Sequence, residues 1–287
     1  MAPTSPSGRA LRPLRYLYRL PMLAWHIALH LPITVLLMSP PFGGIRIGGD
    51  LLKHRMVRWW QRGLMRVFGF RMRRVGTPLP GAVMFVANHV SWIDIVALHA
   101  FRMMGFVAKR EIADWPLVGR LATMGDSIYH QRGSQESLGG VLHVMLARLR
   151  EGRAVGVFPE GRTRDGAAVG PFHARIFLAA VEANVPVQPV ALRYGEGGEA
   201  QTIVAFGPTE NFVQNFLRLL GEPGRVADVV FLEPILPGDA EGRRRLAETA
   251  RGRIVEAMGE TPQASRTAQA SQDSQPSQES ESSQANT

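Results

Sequence analysis

The residues with the clearest chemical potential stand where an apolar run stops. Val83-Met84-Phe85-Val86-Ala87 reads as a buried strand, and Asn88-His89-Val90-Ser91-Trp92-Ile93-Asp94 follows at once. In an open α/β sheet, ligands bind beyond the carboxyl ends of the strands. His89 therefore falls at the rim of a cleft. Asp94 lies five residues on, outside the three- or four-residue spacing of neighbours on a regular helix. The two can still meet if His89 precedes the helix and Asp94 projects back from its first turns. A carboxylate on one imidazole nitrogen fixes the tautomer and leaves the other free as a general base, a device that contributes about 10²–10⁴-fold to a rate. The same residues suit a plainer arrangement equally well, in which His89 caps the helix and Asp94 favours its positive end.

A second apolar run, 154–158, delivers a charged turn to the same side of a sheet: Phe158-Pro159-Glu160-Gly161-Arg162-Thr163-Arg164. Two arginines and a glutamate around a glycine can clamp a phosphate, because a guanidinium matches phosphate oxygens in a fork and the carboxylate orients it. Alone, such a turn is also an ordinary solvated loop. Lys109, at the end of a third apolar run, is one of only two lysines among 33 basic residues, the other being Lys53. A lysine kept in so arginine-rich a chain suggests a need for a compact ammonium. His130 and His173 have no Asp or Glu at a spacing that closes a metal site, and with no cysteine the chain has neither a thiolate ligand nor a thiol nucleophile. Metal ligands are accordingly not expected.

Taken together and in this order, N-H-x-x-x-x-D at Asn88–Asp94 and F-P-E-G at Phe158–Gly161 resemble the glycerolipid acyltransferases of the lysophosphatidic acid acyltransferase type. The likeness extends to Lys109-Arg110-Glu111, Pro116, Gly119, Arg132 and Val185-Pro186-Val187-Gln188-Pro189-Val190, and covers roughly residues 70–235. It implies direct transfer of a fatty acyl group from acyl-CoA or acyl carrier protein to the free hydroxyl of a lysophospholipid, first of all 1-acyl-sn-glycerol-3-phosphate. His89 would be the base and Asp94 its partner. Asn88, Lys109, Arg132, Glu160, Gly161, Arg162 and Arg164 would bind the acceptor. No cofactor and no covalent enzyme intermediate are implied, and the sequence has no G-x-S-x-G elbow. Two departures stand out. The second motif continues Arg162-Thr163-Arg164 where the family commonly has Thr-Arg-Ser, which leaves open which arginine meets a phosphate. The block before Arg132, Gly125-Asp126-Ser127-Ile128-Tyr129-His130-Gln131, is unusually polar and admits another acceptor, such as a lyso-ornithine lipid.

Positioning these residues calls for an α/β domain with a mostly parallel central sheet covered by helices. Strands are expected at 83–87, 105–108, 127–130, 154–158, 187–192, 202–206 and 226–232. Helices are expected at 92–101, 116–123, 135–151, 173–183, 210–220 and 240–258. Ahead of this domain, residues 1–19 form a basic segment, and 20–70 a membrane-associated helical hairpin. The uncharged run 20–39 barely reaches the ~20 residues that span a bilayer. Arg55, Arg58, Arg62 and Arg66 line one helical face beside Trp59, Trp60 and Leu64, as in a helix lying in the membrane interface. Arginines flank the apolar run on both sides, which favours a hairpin with both ends on the cytoplasmic face of the inner membrane over a single span. The α/β domain then runs over 71–260, and a Ser/Gln-rich tail, 261–287, lacks the apolar residues to order itself.

With 45% hydrophobic and 20% charged residues, the chain is too polar for a multi-span membrane protein. Its formal net charge of +9 suits a polyanionic partner. Arginines beside an apolar run point to an anionic membrane surface; a nucleic-acid partner, the competing reading, would need base-stacking aromatics interleaved with an exposed basic stripe.

Overall fold

The computed structural model describes residues 10–114, 119, 127–130 and 135–259. The expected tail and most of the helix expected at 116–123 lie outside these residues.

A long helix comes first. α1 (Arg12–Trp25) runs through one π turn (His26–His30) into α2 (Leu31–Met38). Pro32 has no N–H for the ladder, and just before it the Leu31 N–H reaches back to the His26 carbonyl in the wider π register. By length and composition Arg12–Met38 is apolar enough to cross a membrane. After a short hairpin of β1 (Arg46–Ile47) and β2 (Asp50–Leu51), α3 (Leu52–Val67) returns along the first helix. The two helices approach closely at Gly63, where a Cβ would stand 2.4 Å from His26 Cε1.

The hairpin differs from expectation in two ways. Its first helix begins at Arg12, not at residue 20, so Arg12, Arg15 and Arg19 belong to the helix and not to a separate basic segment. In α3 the residues expected to face a membrane are divided. Trp60 and Leu64 are buried within the protein, and Arg55, Trp59, Arg62 and Arg66 are exposed. The unpartnered apolar surface lies instead on the first helix, where Leu17 is 72%, Trp25 61% and Leu36 59% exposed.

The expected α/β class is what forms. The sheet contains β3 (Phe70–Val75), β4 (Met84–Ala87), β5 (Gly105–Lys109), β6 (Ile128–His130), β7 (Val155–Val157), β8 (Val187–Tyr194) and β9 (Arg225–Phe231) among the described residues. Their order is β3-β9-β8-β4-β7-β5-β6, and every neighbouring pair is parallel except β8 with β9. Central strands buried on both faces read as unbroken apolar runs, and β4 is buried at every position. On one face Phe85, Leu192 and Val229 pack against Leu64 and Met65 of α3 and Ile93 and Ala97 of α4 (Ile93–His99). On the other, Met84, Val86, Val155 and Val157 pack against α5 (Gln135–Arg150), α6 (Leu178–Ala183) and, beyond α7 (Gln201–Val204) and α8 (Phe212–Gly221) in the chain, α9 (Gly242–Ala257).

Two strand assignments from sequence need correction. The run 202–206 is not a strand; α7 (Gln201–Val204) is a single helical turn there. An apolar run this short cannot be told from a helical turn by periodicity. Gln201 settles it by taking the Tyr194 N–H on its Oε1 (2.8 Å) and donating to the Leu192 carbonyl (3.0 Å), so that a side chain fills the place of a paired strand. Conversely, β3 was hidden by its arginines. It is an edge strand exposed at most positions, and Arg73 is held by Asp228 of β9 at 2.7 Å.

The helix α8 (Phe212–Gly221) opens with a capping box from Asn211 and Gln214 and closes against the first helix. Arg19, 3% exposed, donates to the carbonyls of Leu220 (2.9 Å) and Glu222 (2.7 Å). Arg15 donates to Gly221 O, and Arg12 pairs with Glu222 at 2.6 Å. Guanidinium groups at a helix C-terminus satisfy its orphan carbonyls and its negative dipole end. Part of the basic surplus therefore serves the fold itself.

Candidate active site

Strands β4 and β7 are adjacent and parallel, with Met84 beside Val155 and Val86 beside Val157. Their carboxyl ends therefore release the Asn88–Asp94 and Phe158–Arg164 turns side by side. The strand β8 flanks β4 on its other side and runs on past its end to Tyr194.

In the first turn, His89 Nδ1 lies 2.8 Å from Asp94 Oδ2. The same oxygen accepts the backbone N–H groups of Val90 (2.7 Å) and Ser91 (2.9 Å). Asp94 Oδ1 accepts the Tyr194 hydroxyl at 2.5 Å. The Asp94 side chain is fully buried, whereas that of His89 is 16% exposed. The carboxylate thus grips the imidazole and gathers the backbone of the turn ahead of α4, whereas His89 does not cap that helix, whose N-cap Trp92 makes no side-chain capping bond. The ring is further set by stacking on Phe158, with centroids 3.9 Å apart and planes 12° apart, and Phe158 stacks in turn on Phe106. With its Nδ1–H donated to the Asp94 carboxylate and its face on an aromatic floor, the ring keeps Nε2 free to accept a proton.

Glu160 is 2% exposed and does not present itself to a ligand. Its Oε1 accepts the His89 backbone N–H (2.9 Å), its Oε2 accepts that of Gly170 (2.9 Å), and Arg164 Nε stands 3.3 Å from the same oxygen. Burial raises its pKa, and the N–H groups of His89 and Gly170 and the Arg164 charge only partly offset this. The Arg164 backbone N–H also donates to His89 O at 2.7 Å. Glu160 and Arg164 therefore clamp the two turns to each other. Gly161 makes the bend between them, at φ +71°. Arg162 is exposed and has no ion pair or hydrogen bond among the described residues.

Asn88 departs from the acceptor-binding expectation. It is buried, and its amide both donates to Leu192 O (3.1 Å) and accepts Leu192 N–H (2.9 Å). The side chain extends the sheet by one backbone-like pair and ties the Asn88–Asp94 turn to β8. Lys109 ends β5 at the same sheet edge, but its side chain, like the whole of Arg132, lies outside the described residues. Among the described residues no group of three His, Asp or Glu could hold a metal.

Sequence reasoning missed three residues of this site. Tyr194 lies far from either motif and carries no local signature. Phe158 was seen only as part of a motif. Asn215 of α8 accepts the Ser91 hydroxyl (3.1 Å) and the Trp92 indole N–H (3.0 Å), buttressing the catalytic turn from outside. A polar residue in the apolar face of an amphipathic helix was the available signal for Asn215.

The mostly parallel sheet thus presents a carboxylate–imidazole pair, Asp94 buried and His89 partly exposed, and the exposed guanidinium of Arg162 on neighbouring turns. The sequence profile of the family described as Acyltransferase matches residues 52–193. Over 77% of this chain and 85% of theirs, the residues are 36% identical to a lyso-ornithine lipid O-acyltransferase of Pseudomonas aeruginosa. A 1-acyl-sn-glycerol-3-phosphate acyltransferase of Neisseria meningitidis is 34% identical over 53% of this chain and 60% of its own. The fold matches that of the 1-acyl-sn-glycerophosphate acyltransferase PlsC of Thermotoga maritima, with a TM-score of 0.64 and 17% identity, over 88% of this chain and 95% of that one. The chain belongs to the PlsC-type acyltransferase family.

Proposed function

We propose that the protein acylates a membrane lysolipid at the cytoplasmic face of the membrane, with His89 as general base. The supporting observation is the 2.8 Å contact between His89 Nδ1 and the buried Asp94. His89 Nε2 takes the proton of the acceptor hydroxyl as its oxygen attacks the thioester carbonyl of acyl-CoA or acyl carrier protein. The tetrahedral intermediate collapses by breaking the C–S bond, and the imidazolium returns the proton to the thiolate. Asp94 stabilises the imidazolium and does not itself take the proton. Arg162 binds the anionic head group of the acceptor, and Glu160 and Arg164 hold the base in register.

For the acceptor, 1-acyl-sn-glycerol-3-phosphate suits a forked guanidinium such as Arg162. A lyso-ornithine lipid is a second reading, favoured by relatives that align over most of both chains. Its carboxylate could use the same arginine.

The hairpin supports a monotopic attachment. Arg12, Arg15 and Arg19 tie the start of the first helix to α8, and α3 packs on the catalytic domain, so both ends are held on one side. A single span would have to break the Arg19 contacts. The exposed leucines and Trp25 of the first helix would enter the lipid, and the exposed arginines of α3 would meet anionic head groups. The surplus charge that remains sits beside this apolar surface, which favours lipid over nucleic acid.

Product identification by mass spectrometry, with each lysolipid and defined thioester donors, tests the acceptor. His89→Ala should abolish transfer with each acceptor while leaving the fold and vesicle binding intact. Near-normal turnover in that variant would refute the mechanism.

A further inference from the structure

Asp94 has two oxygens, and only one of them faces the imidazole. Three donors converge on Oδ2, from His89, Val90 and Ser91. On Oδ1 the donor is the phenol of Tyr194, 2.5 Å away, reaching in from the end of β8. The terminal torsion of an aspartate is soft and roughly two-fold, so donors on one oxygen leave the plane of the carboxylate poorly fixed. A donor on the other oxygen removes that freedom. We propose that Tyr194 is a positioning residue for acyl transfer: its hydroxyl fixes the plane of Asp94 and through it aims His89.

The placement of Tyr194 supports this role. Asn88 is paired to Leu192 on both sides of its amide, which locks the register of β8 against the catalytic turn two residues before Tyr194. The Tyr194 N–H is held by Gln201, and its ring packs edge-on to Phe70 at 5.7 Å. The phenol cannot swing away without undoing these contacts. Burial is the main reason its pKa stands well above the usual value, with the neighbouring Asp94 charge adding to it, so the phenol keeps its proton and remains a donor. A short O–H···O⁻ bond in a dry site is among the stronger hydrogen bonds a protein makes.

The proposal rests on His89 acting as the base, and the experiment separates the two. Full-length protein is assayed with palmitoyl-CoA and whichever of lysophosphatidic acid or lyso-ornithine lipid it acylates, across a pH series. The variants are Tyr194→Phe, Asp94→Asn, their combination and His89→Ala. Besides Tyr194, the charged groups facing the His89–Asp94 pair are Glu160 and Arg164 from the turn after β7, and these stay unchanged.

Tyr194→Phe should lower kcat roughly tenfold, the worth of one charge-assisted hydrogen bond, with the acceptor KM little altered. The acid limb of kcat/KM should move to higher pH, because a carboxylate that has lost a donor is more basic and makes the imidazole so. In the Asp94→Asn background the same substitution should lower kcat by a clearly smaller factor, because the bond it removes there is neutral and the charge it would aim is already gone. Fluorotyrosine at position 194, a stronger donor of the same shape, should move the acid limb the opposite way and serves if the phenylalanine variant folds poorly. Unshifted limbs in both variants, or an undiminished Tyr194→Phe effect on Asp94→Asn, would overturn the proposal even if His89→Ala is inactive. An active His89→Ala would instead overturn the reading beneath it.

Discussion

Replacing Asp94 with asparagine separates the charge of this residue from its hydrogen bonds. Three donors meet at Oδ2: His89 Nδ1 at 2.8 Å, and the N–H groups of Val90 at 2.7 Å and Ser91 at 2.9 Å. An amide NH₂ in that place would face two backbone N–H groups, so the asparagine must put its carbonyl oxygen there. Its NH₂ then points to Tyr194, whose hydroxyl can turn and accept. Every bond is kept; each is weakened from charge-assisted to neutral, by about 1 kcal/mol apiece. Against that loss, the wild type carries a fully buried carboxylate whose desolvation costs several kcal/mol, a cost that asparagine avoids. The two terms are of similar size and opposite sign, so the melting temperature should move only a few degrees. No such offset exists in the transition state. There the imidazole becomes a cation beside a neutral amide, and kcat should fall about 10²–10⁴-fold. Release of CoA can be followed with a thiol reagent without background, because the chain contains no cysteine. A variant that melts normally and retains more than about a tenth of wild-type kcat would show that the Asp94 charge does not serve the base.

Arg162→Ala should raise the acceptor KM roughly tenfold or more and leave kcat within a few-fold, since the guanidinium is a ligand for the head group and little else. Arg164→Ala should do the reverse, lowering kcat and stability, because it removes the partner of a buried Glu160; steady-state kinetics with varied acceptor distinguish the two. Arg19→Met should cost about 2–3 kcal/mol by stranding the carbonyls of Leu220 and Glu222, read as a lower melting temperature in detergent. At Glu210, burial would raise the pKa, but bonds from Arg218, Asn215 and the Gly207 N–H, with the Arg218 charge, bring it from 4.5 to about 2. A carboxylate with a depressed folded pKa contributes stability above its ordinary pKa and loses it as pH falls toward the folded value. Acid unfolding should therefore steepen between about pH 4.5 and 2, and Glu210→Gln should flatten that stretch.

How much of this was legible in the sequence depended on whether a contact is local. The strand-to-helix turn at Asn88–Asp94 could be read because its parts are neighbours in the chain and the apolar run of β4 says where they emerge. The strands β4, β5, β7 and β8 were visible for the same reason: buried on both faces, they carry little but apolar residues. Elsewhere distant partners decide. Asn88 and Glu160 look like ligand groups in one dimension, yet the backbone of β8 takes the first and the His89 and Gly170 N–H groups take the second. Nothing near Tyr194 announces that β8 will outrun β4 and bring a phenol to Asp94. The arginines of β3 masked a strand, and those of α1 read as a separate basic segment, although α8 is their partner.

That last partnership bears on how the enzyme addresses its substrate. The turn that aims His89 is braced by Asn215, which accepts from both Ser91 and Trp92. Asn215 sits on α8, and the far end of α8 is closed by Arg12, Arg15 and Arg19 of the first helix. One ten-residue helix thus touches the catalytic turn through its middle and the lipid-facing helix through its C-terminus. On the proposed mechanism, a lysolipid keeps its acyl chain in the membrane while its hydroxyl must come within hydrogen-bond reach of Nε2. Its reach is therefore fixed by how the first helix lies relative to His89. A flexible tether would leave that distance to chance; buried guanidinium-to-carbonyl bonds on α8 fix it. The arginines of α1 accordingly matter for catalytic geometry as well as for folding, although none of them approaches the reacting atoms.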